Sequence, residues 1–151
     1  MTGVVVTGLQ RAEAWITGPV QVALDGLGWT AERMLDDPVP TVRFMVRGQA
    51  GSWRCYIRAW DDTPVLTVYA VFPVDTPPDR RAAMAQAVTQ ANRSLDIGNF
   101  EFDSGDGELL LKTAMPLGDD APTPSAVQAL LHANIDTIDR FFPVFGAVLY
   151  G

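Results

Sequence analysis

The sequence predicts a single α+β domain in the order helix, three-strand antiparallel meander, helix, β-hairpin, C-terminal helix. Three observations predict it. Consecutive runs between Val42 and Phe72 alternate apolar and other residues with period two, as half-buried strands do. Apolar residues recur at helical spacing before, between and after the strand runs. The 151 residues, 48% hydrophobic and 19% charged, suffice for one core, so the whole chain 1–151 is expected to be one domain.

Met1 to Ile16 show no clear element, although Leu9 to Trp15 fits a helical turn; Gly18-Pro19 interrupts any longer helix. Thr17 or Gly18 as N-cap, with Pro19 in the first turn, starts the first helix. Val20, Val22, Ala23, Leu24 and Leu27 give it an apolar stripe, and Gly28 ends it.

In the meander, Val42, Phe44 and Val46 alternate with Arg43, Met45 and Arg47. Trp53, Cys55, Ile57 and Ala59 alternate with Arg54, Tyr56, Arg58 and Trp60. Leu66, Val68, Ala70 and Phe72 alternate with Val65, Thr67, Tyr69 and Val71. Gly48-Gln49-Ala50-Gly51 and Asp61-Asp62-Thr63-Pro64 are hairpin turns. With tight turns, Phe44 faces Cys55 and Cys55 faces Ala70, while Ile57 lies between Val42 and Val68. Trp53 lies between Val46 and Phe72. Every apolar set then shares a face, and a slip of one residue would destroy the agreement.

Thr76 as N-cap, Pro77 at the first position and Asp79 in a capping-box spacing start the second helix. Met84, Val88, Ala91 and Leu95 are its stripe, and Gly98 its stop. Phe100 and Phe102 then face Leu111 and Leu109 across Ser104-Gly105-Asp106-Gly107, in a hairpin expected to form a sheet of its own with one apolar face. Thr123-Pro124 starts the last helix, whose stripe is Val127, Leu130, Leu131, Ile135, Ile138 and Phe142. Pro143 is expected to end or kink it.

The same pairing gathers the other side chains. Arg43 faces Tyr56, which faces Tyr69. Met45 faces Arg54, which faces Val71, and Arg58 and Trp60 extend the patch. With Arg47, this face holds four of the eleven basic residues. Arginine, tyrosine, tryptophan and methionine are the residues protein interfaces favour. The plain alternative is an outer sheet face with arginine stems lying over tyrosine rings. Arg43, Met45, Arg54, Tyr56, Arg58, Trp60 and Tyr69 are the candidate partner-binding residues. The outer face of the second hairpin differs, with Glu101, Asp103, Glu108, Leu110 and Lys112.

No catalytic, cofactor or metal site is expected. His132, the only histidine, falls one helical turn from Asp136 with Asp139 nearby, but a metal needs three or four converging ligands. Cys55 lies on the core face, where a thiol is structural; reactivity requires exposure and nearby positive charge. Asp103, Asp106 and Glu108 miss the EF-hand spacing and suit a hairpin turn. The phosphate-binding, zinc-protease and serine-hydrolase motifs are absent.

The net charge of −7 repels nucleic acid and anionic membrane and would attract a basic partner. The one cysteine excludes an intrachain disulfide and suits a reducing compartment. With no signal-like or membrane-length apolar run, the expected location is the cytoplasm.

The residues from about Trp53 to Gly151 resemble the YbjN family of bacterial proteins. The resemblance lies in Trp53 opening a strand, Tyr69-Ala70 and Pro73 closing the next, and Pro77 to Arg81 starting a helix. Asn92, Leu95, Gly98, Phe100, Phe102, Gly107, Leu110, Pro116 and Phe142-Pro143 follow in order. That family is described as a sensory-transduction regulator, with a fold similar to the small dimeric chaperones of type III secretion. Those are acidic cytoplasmic homodimers that hold an extended segment of a client. The resemblance implies a non-enzymatic, chaperone-like or adaptor homodimer that binds a partner protein, basic or with an extended segment. It supplies no catalytic residues. Two other functions fit the residues: a single-stranded nucleic-acid binder using the same Arg/Tyr/Trp face, and a small-molecule sensor with its ligand between sheet and helix.

Overall fold

A computed structural model describes residues 8–151; Met1 to Thr7, within the stretch where no element was expected, lie outside them. Helix α1 (Gly8–Trp15) does not stop at Gly18-Pro19. It runs through a π-helical turn, Ile16–Val20, into α2 (Gln21–Gly26). Proline lacks a donor and collides with the carbonyl four residues back; a widened turn absorbs both effects. Thr17 is therefore no N-cap, and its hydroxyl donates to the Glu13 carbonyl at 3.1 Å. The expected end does occur. Gly28 has φ +71°, Trp29 N–H donates to the Leu24 carbonyl and Gly28 N–H to that of Asp25, which is a Schellman cap.

The strands are β1 (Glu32–Arg33), β2 (Thr41–Arg47), β3 (Ser52–Trp60), β4 (Val65–Val71), β5 (Asn99–Phe102) and β6 (Leu109–Pro116). The expected pairings form within the strands: Phe44 with Cys55, Cys55 with Ala70, Ile57 with Val42 and Val68, and Val46 with Trp53. That of Trp53 with Phe72 does not, because the β3–β4 ladder stops at Arg54 and Val71, and Phe72 N–H bonds the Leu109 carbonyl. Phe100 meets Leu111 and Phe102 meets Leu109. Gly48 N–H donates to the Gly51 carbonyl at 2.8 Å, closing the tight turn. The hairpin, however, forms no sheet of its own. β6 pairs along β4, giving one six-stranded antiparallel sheet in the order β1-β2-β3-β4-β6-β5. The two-residue β1 has no alternating run to announce it.

Helix α3 (Arg81–Arg93) is preceded by a 3₁₀ turn, Pro78–Arg80. Pro77 is extended, with ψ 155°, so Pro78 rather than Pro77 takes the first helical position. Thr76 is not the cap. Its backbone N–H donates to the Gly107 carbonyl at 2.8 Å, and its carbonyl accepts from Arg81 Nε at 2.9 Å. Gly98 does not stop α3 either. Ser94 does, with its hydroxyl on the Ala91 carbonyl at 2.8 Å, and Gly98 at φ +83° leads into β5.

Thr123 caps α4 (Pro124–Tyr150) as expected, accepting from Ala126 N–H at 3.1 Å. α4 continues through Pro143 for a further two turns. Proline removes the bond to the Asp139 carbonyl, but packing restores the helix. Phe145 and Leu149, beyond the proline, are buried. Phe141, Phe142 and Phe145 interlock with Trp53, Phe72 and Phe100 at centroid distances from 4.5 to 6.2 Å. Such aromatic pairs add to the burial of their area.

All four helices contribute to the same core as Val42, Phe44, Cys55, Ile57, Val68 and Leu111. The domain therefore has two layers, with helices on one face of the sheet only. Asn134 sits fully buried between them. Its Nδ2 donates to the Val68 carbonyl and to Thr113 Oγ1, each at 3.2 Å, fixing α4 over the centre of the sheet.

Cys55 is fully buried in this layer, and desolvation pushes its thiol up to about 12. A thiol so raised favours the fold fully below its ordinary value of 9.0, and that contribution is lost as pH rises from there to about 12. Iodoacetamide at pH 8 is expected to label the native protein negligibly and the urea-unfolded protein fully. Rapid labelling of the folded chain, read by mass spectrometry, would contradict the burial.

An open sheet face as the candidate functional site

The uncovered face carries the side chains that alternate with the core. Arg43, Tyr56 and Tyr69 lie in one cross-strand row, and Met45, Arg54 and Val71 in the next. Trp60 pairs with Val65 at the far end. The seven candidate residues thus share one surface, as their alternation requires.

They are not equally available. Arg58 is committed to the protein itself: it bonds Asp37 at 2.7 Å and lies over the Tyr69 ring, 5.8 Å from its centroid. Trp60 is half-buried, its Nε1 donating to Thr67 Oγ1 at 2.9 Å. Arg43 pairs with Glu32 at 2.6 Å, a hydrogen bond that raises the guanidinium above its already high value. Lys112 on β6 is likewise raised, first by its hydrogen bond to Glu101. Exposed pairs of this kind contribute little to stability; their effect is to settle which cations are neutralised. Among the described residues no carboxylate lies within ion-pair distance of Arg47 or Arg54. Both are exposed, and Met45 between them keeps 65% of its surface in solvent.

Two shallow concavities mark this region. One, of about 290 Å³, is lined by Arg54, Tyr56, Arg58, Tyr69, Val71, Glu108 and Leu110. The other, of about 540 Å³, lies at the sheet edge beside Met45 and Arg54.

Several other polar groups serve the fold. Asp139 does not work with His132: its carboxylate accepts from the backbone N–H groups of Gln49 and Ala50 at 3.1 and 2.9 Å, tying α4 to the first hairpin turn. His132 and Asp136 are exposed. Asp103 and Asp106 each accept from the amide two residues on, at 2.7 and 2.8 Å, the turn chemistry expected of them. The contacts of Asp37, Asn134 and Asp139 follow from no motif. Asn134 carries a signal, being a polar residue on the apolar stripe of its helix.

Geometry and composition together define a two-layer α+β domain with a helix-covered sheet face and an open one rich in arginine and aromatic residues. The chain belongs to the YbjN family, whose model, described as "Putative bacterial sensory transduction regulator", matches residues 20–147. The protein in "Crystal structure of YbjN, a putative transcription regulator from E. coli" shares the fold, with a TM-score of 0.66 and 14% identity over 96% of this chain and 95% of that one. No curated protein matches the chain.

Proposed function

We propose that this chain is a non-enzymatic protein-binding module, a chaperone-like or adaptor homodimer that engages a partner protein through the open face of its sheet. The observation that carries the reading is the one-sided architecture: every helix packs on one face, and the other presents Met45, Arg47 and Arg54 to solvent. A partly apolar, arginine-rich surface of this kind is suited to protein contact. Regulation by binding also accords with the description of the family. The single cysteine supports a reducing, cytoplasmic setting. Single-stranded nucleic acid is less well served, because Arg58 already covers the Tyr69 ring on which a base would stack.

The test is affinity capture from native lysate with the wild type and an Arg54→Glu, Tyr56→Ala variant whose melting temperature is checked. Arg58 is left alone because its pairing with Asp37 belongs to the fold. One protein held by the wild type and reduced about ten-fold or more in the variant is the expected result, since truncating interface anchors commonly costs that much. Equal recovery would move the binding surface off this face.

A further inference from the structure

The two edges of the sheet are finished differently. In β5 the bond from Asp103 N–H to the Glu108 carbonyl fixes the alternation, so Phe100 directs its backbone groups outwards. Asn92 takes both, accepting from Phe100 N–H at 2.6 Å and donating to its carbonyl at 3.0 Å. That edge is closed at its centre by a side chain from α3, one of the ways proteins block unwanted strand pairing.

The β2 edge is closed for only part of its length. The bond from Gly48 N–H to the Gly51 carbonyl, with that from Ala59 N–H to the Pro40 carbonyl, directs Val42, Phe44 and Val46 at β3. Thr41, Arg43, Met45 and Arg47 face the other way. β1 meets Arg43, and Met34 N–H and Arg33 bond the Thr41 carbonyl. Among the described residues nothing pairs with the outward backbone of Met45 or Arg47. Beside them, where the chain enters β1, lies the 540 Å³ concavity bounded by Thr30, Ala31, Phe44, Met45 and Arg54, together with Glu32 and Arg43, which neutralise each other as an ion pair.

We infer that the Met45–Arg47 edge of β2 accepts an extended, acidic segment of a partner protein as an added strand; this rests on the protein-binding reading above and names the partner's chemistry. Backbone pairing supplies the attachment. Arg47 and Arg54, exposed and without a carboxylate among the described residues, supply the preference for acidic side chains. Exposed Met45 offers an apolar contact between them. A second copy of this chain is a poor occupant. Antiparallel self-pairing centred on Met45 places Arg47 opposite Arg43, whose outward backbone β1 already takes. Pairing centred on Arg47 opposes two arginines, and like charges directly opposed destabilise a sheet; the register between them sets Arg47 opposite Met45 and gives neither arginine a carboxylate. The local positive charge is opposite in sign to the overall −7.

The probes are two short capped peptides, one alternating glutamate with valine and one alternating lysine with valine. They are offered to the full chain while amide exchange and chemical shifts are followed by NMR. The acidic peptide is expected to bind about ten-fold more tightly, from a few cross-strand charge pairs and hydrogen bonds. It should slow exchange of the Met45 and Arg47 amides and leave Phe44 and Val46 unchanged. Arg47→Glu with Arg54→Glu should reverse the preference. Met45→Pro, which removes an outward donor at an edge position where proline is tolerated, should abolish binding. An N-methylated acidic peptide on the wild type makes the same test should that variant not fold. Tighter binding of the basic peptide, or protection elsewhere, would overturn the inference. If a natural partner is lost with Arg54→Glu, Tyr56→Ala but retained with Met45→Pro, strand addition fails while the protein-binding reading stands.

Discussion

Gly107→Ala is expected to destabilise the domain by about 4 kcal/mol and to lower its melting temperature by about 12 °C. Gly107 has φ +84°, and a Cβ there would collide with the Thr76 carbonyl oxygen and lie 2.9 Å from its nitrogen. Those are backbone atoms, with no flexible side chain to give way. The left-handed conformation costs an L-residue ~1–2 kcal/mol. Relieving the clash also breaks the bond from Thr76 N–H to the Gly107 carbonyl, in a buried place where an unmade bond costs ~1–3 kcal/mol. That contact joins the β5–β6 hairpin to the approach to α3, and Arg81 reinforces it by reaching the carbonyls of Ser104 and Gly105. Thermal and urea denaturation followed by circular dichroism would measure the loss. A change below about 1 kcal/mol, the size of an ordinary surface effect, would mean the hairpin is not seated on Thr76.

Asn134→Asp is expected to cost about 3–5 kcal/mol at pH 7, comparable to leaving a charge buried without a partner. The native amide donates to the Val68 carbonyl and Thr113 Oγ1; an ionised carboxylate has nothing to donate and would face the carbonyl oxygen. Only the protonated acid can replace the donor. Its folded pKa must therefore rise above the unfolded value of about 3.9. A carboxylate so raised is best tolerated below that value, and the fold loses stability as pH climbs through the interval up to the folded pKa. Urea midpoints at pH 4 and pH 7, each referred to the wild type at the same pH, should show most of the deficit disappearing at pH 4. Equal deficits at both pH values would place Asn134 in contact with water rather than between α4 and the sheet.

The strand registers were legible because period two leaves a single alignment in which Phe44, Cys55, Ala70 and their neighbours share a face. Membership of the candidate surface followed from the same alternation. Joining the hairpin to the meander was not legible: β4 and β6 are separated by a helix and by β5, and both present equally good strand faces. The continuation of helix through Pro19 and Pro143 was not legible for one reason. Proline's cost is local and visible in sequence, whereas the packing of Ile16, Val20, Phe145 and Leu149 that outweighs it is tertiary. The division of the arginines into paired Arg43 and Arg58 and exposed Arg47 and Arg54 depended on where Glu32 and Asp37 settle. Those are loop and edge residues with no periodicity to place them.

The central claim, that the open sheet face is the surface at which another protein binds, is tested most directly by site-specific photocrosslinking in the native host. A benzophenone amino acid is placed at Met45 on that face or at Val22 on α2, both exposed. The account predicts a discrete protein adduct from position 45 and none from position 22. A discrete adduct from position 22 and none from position 45 would contradict it and place the interface on the helical side.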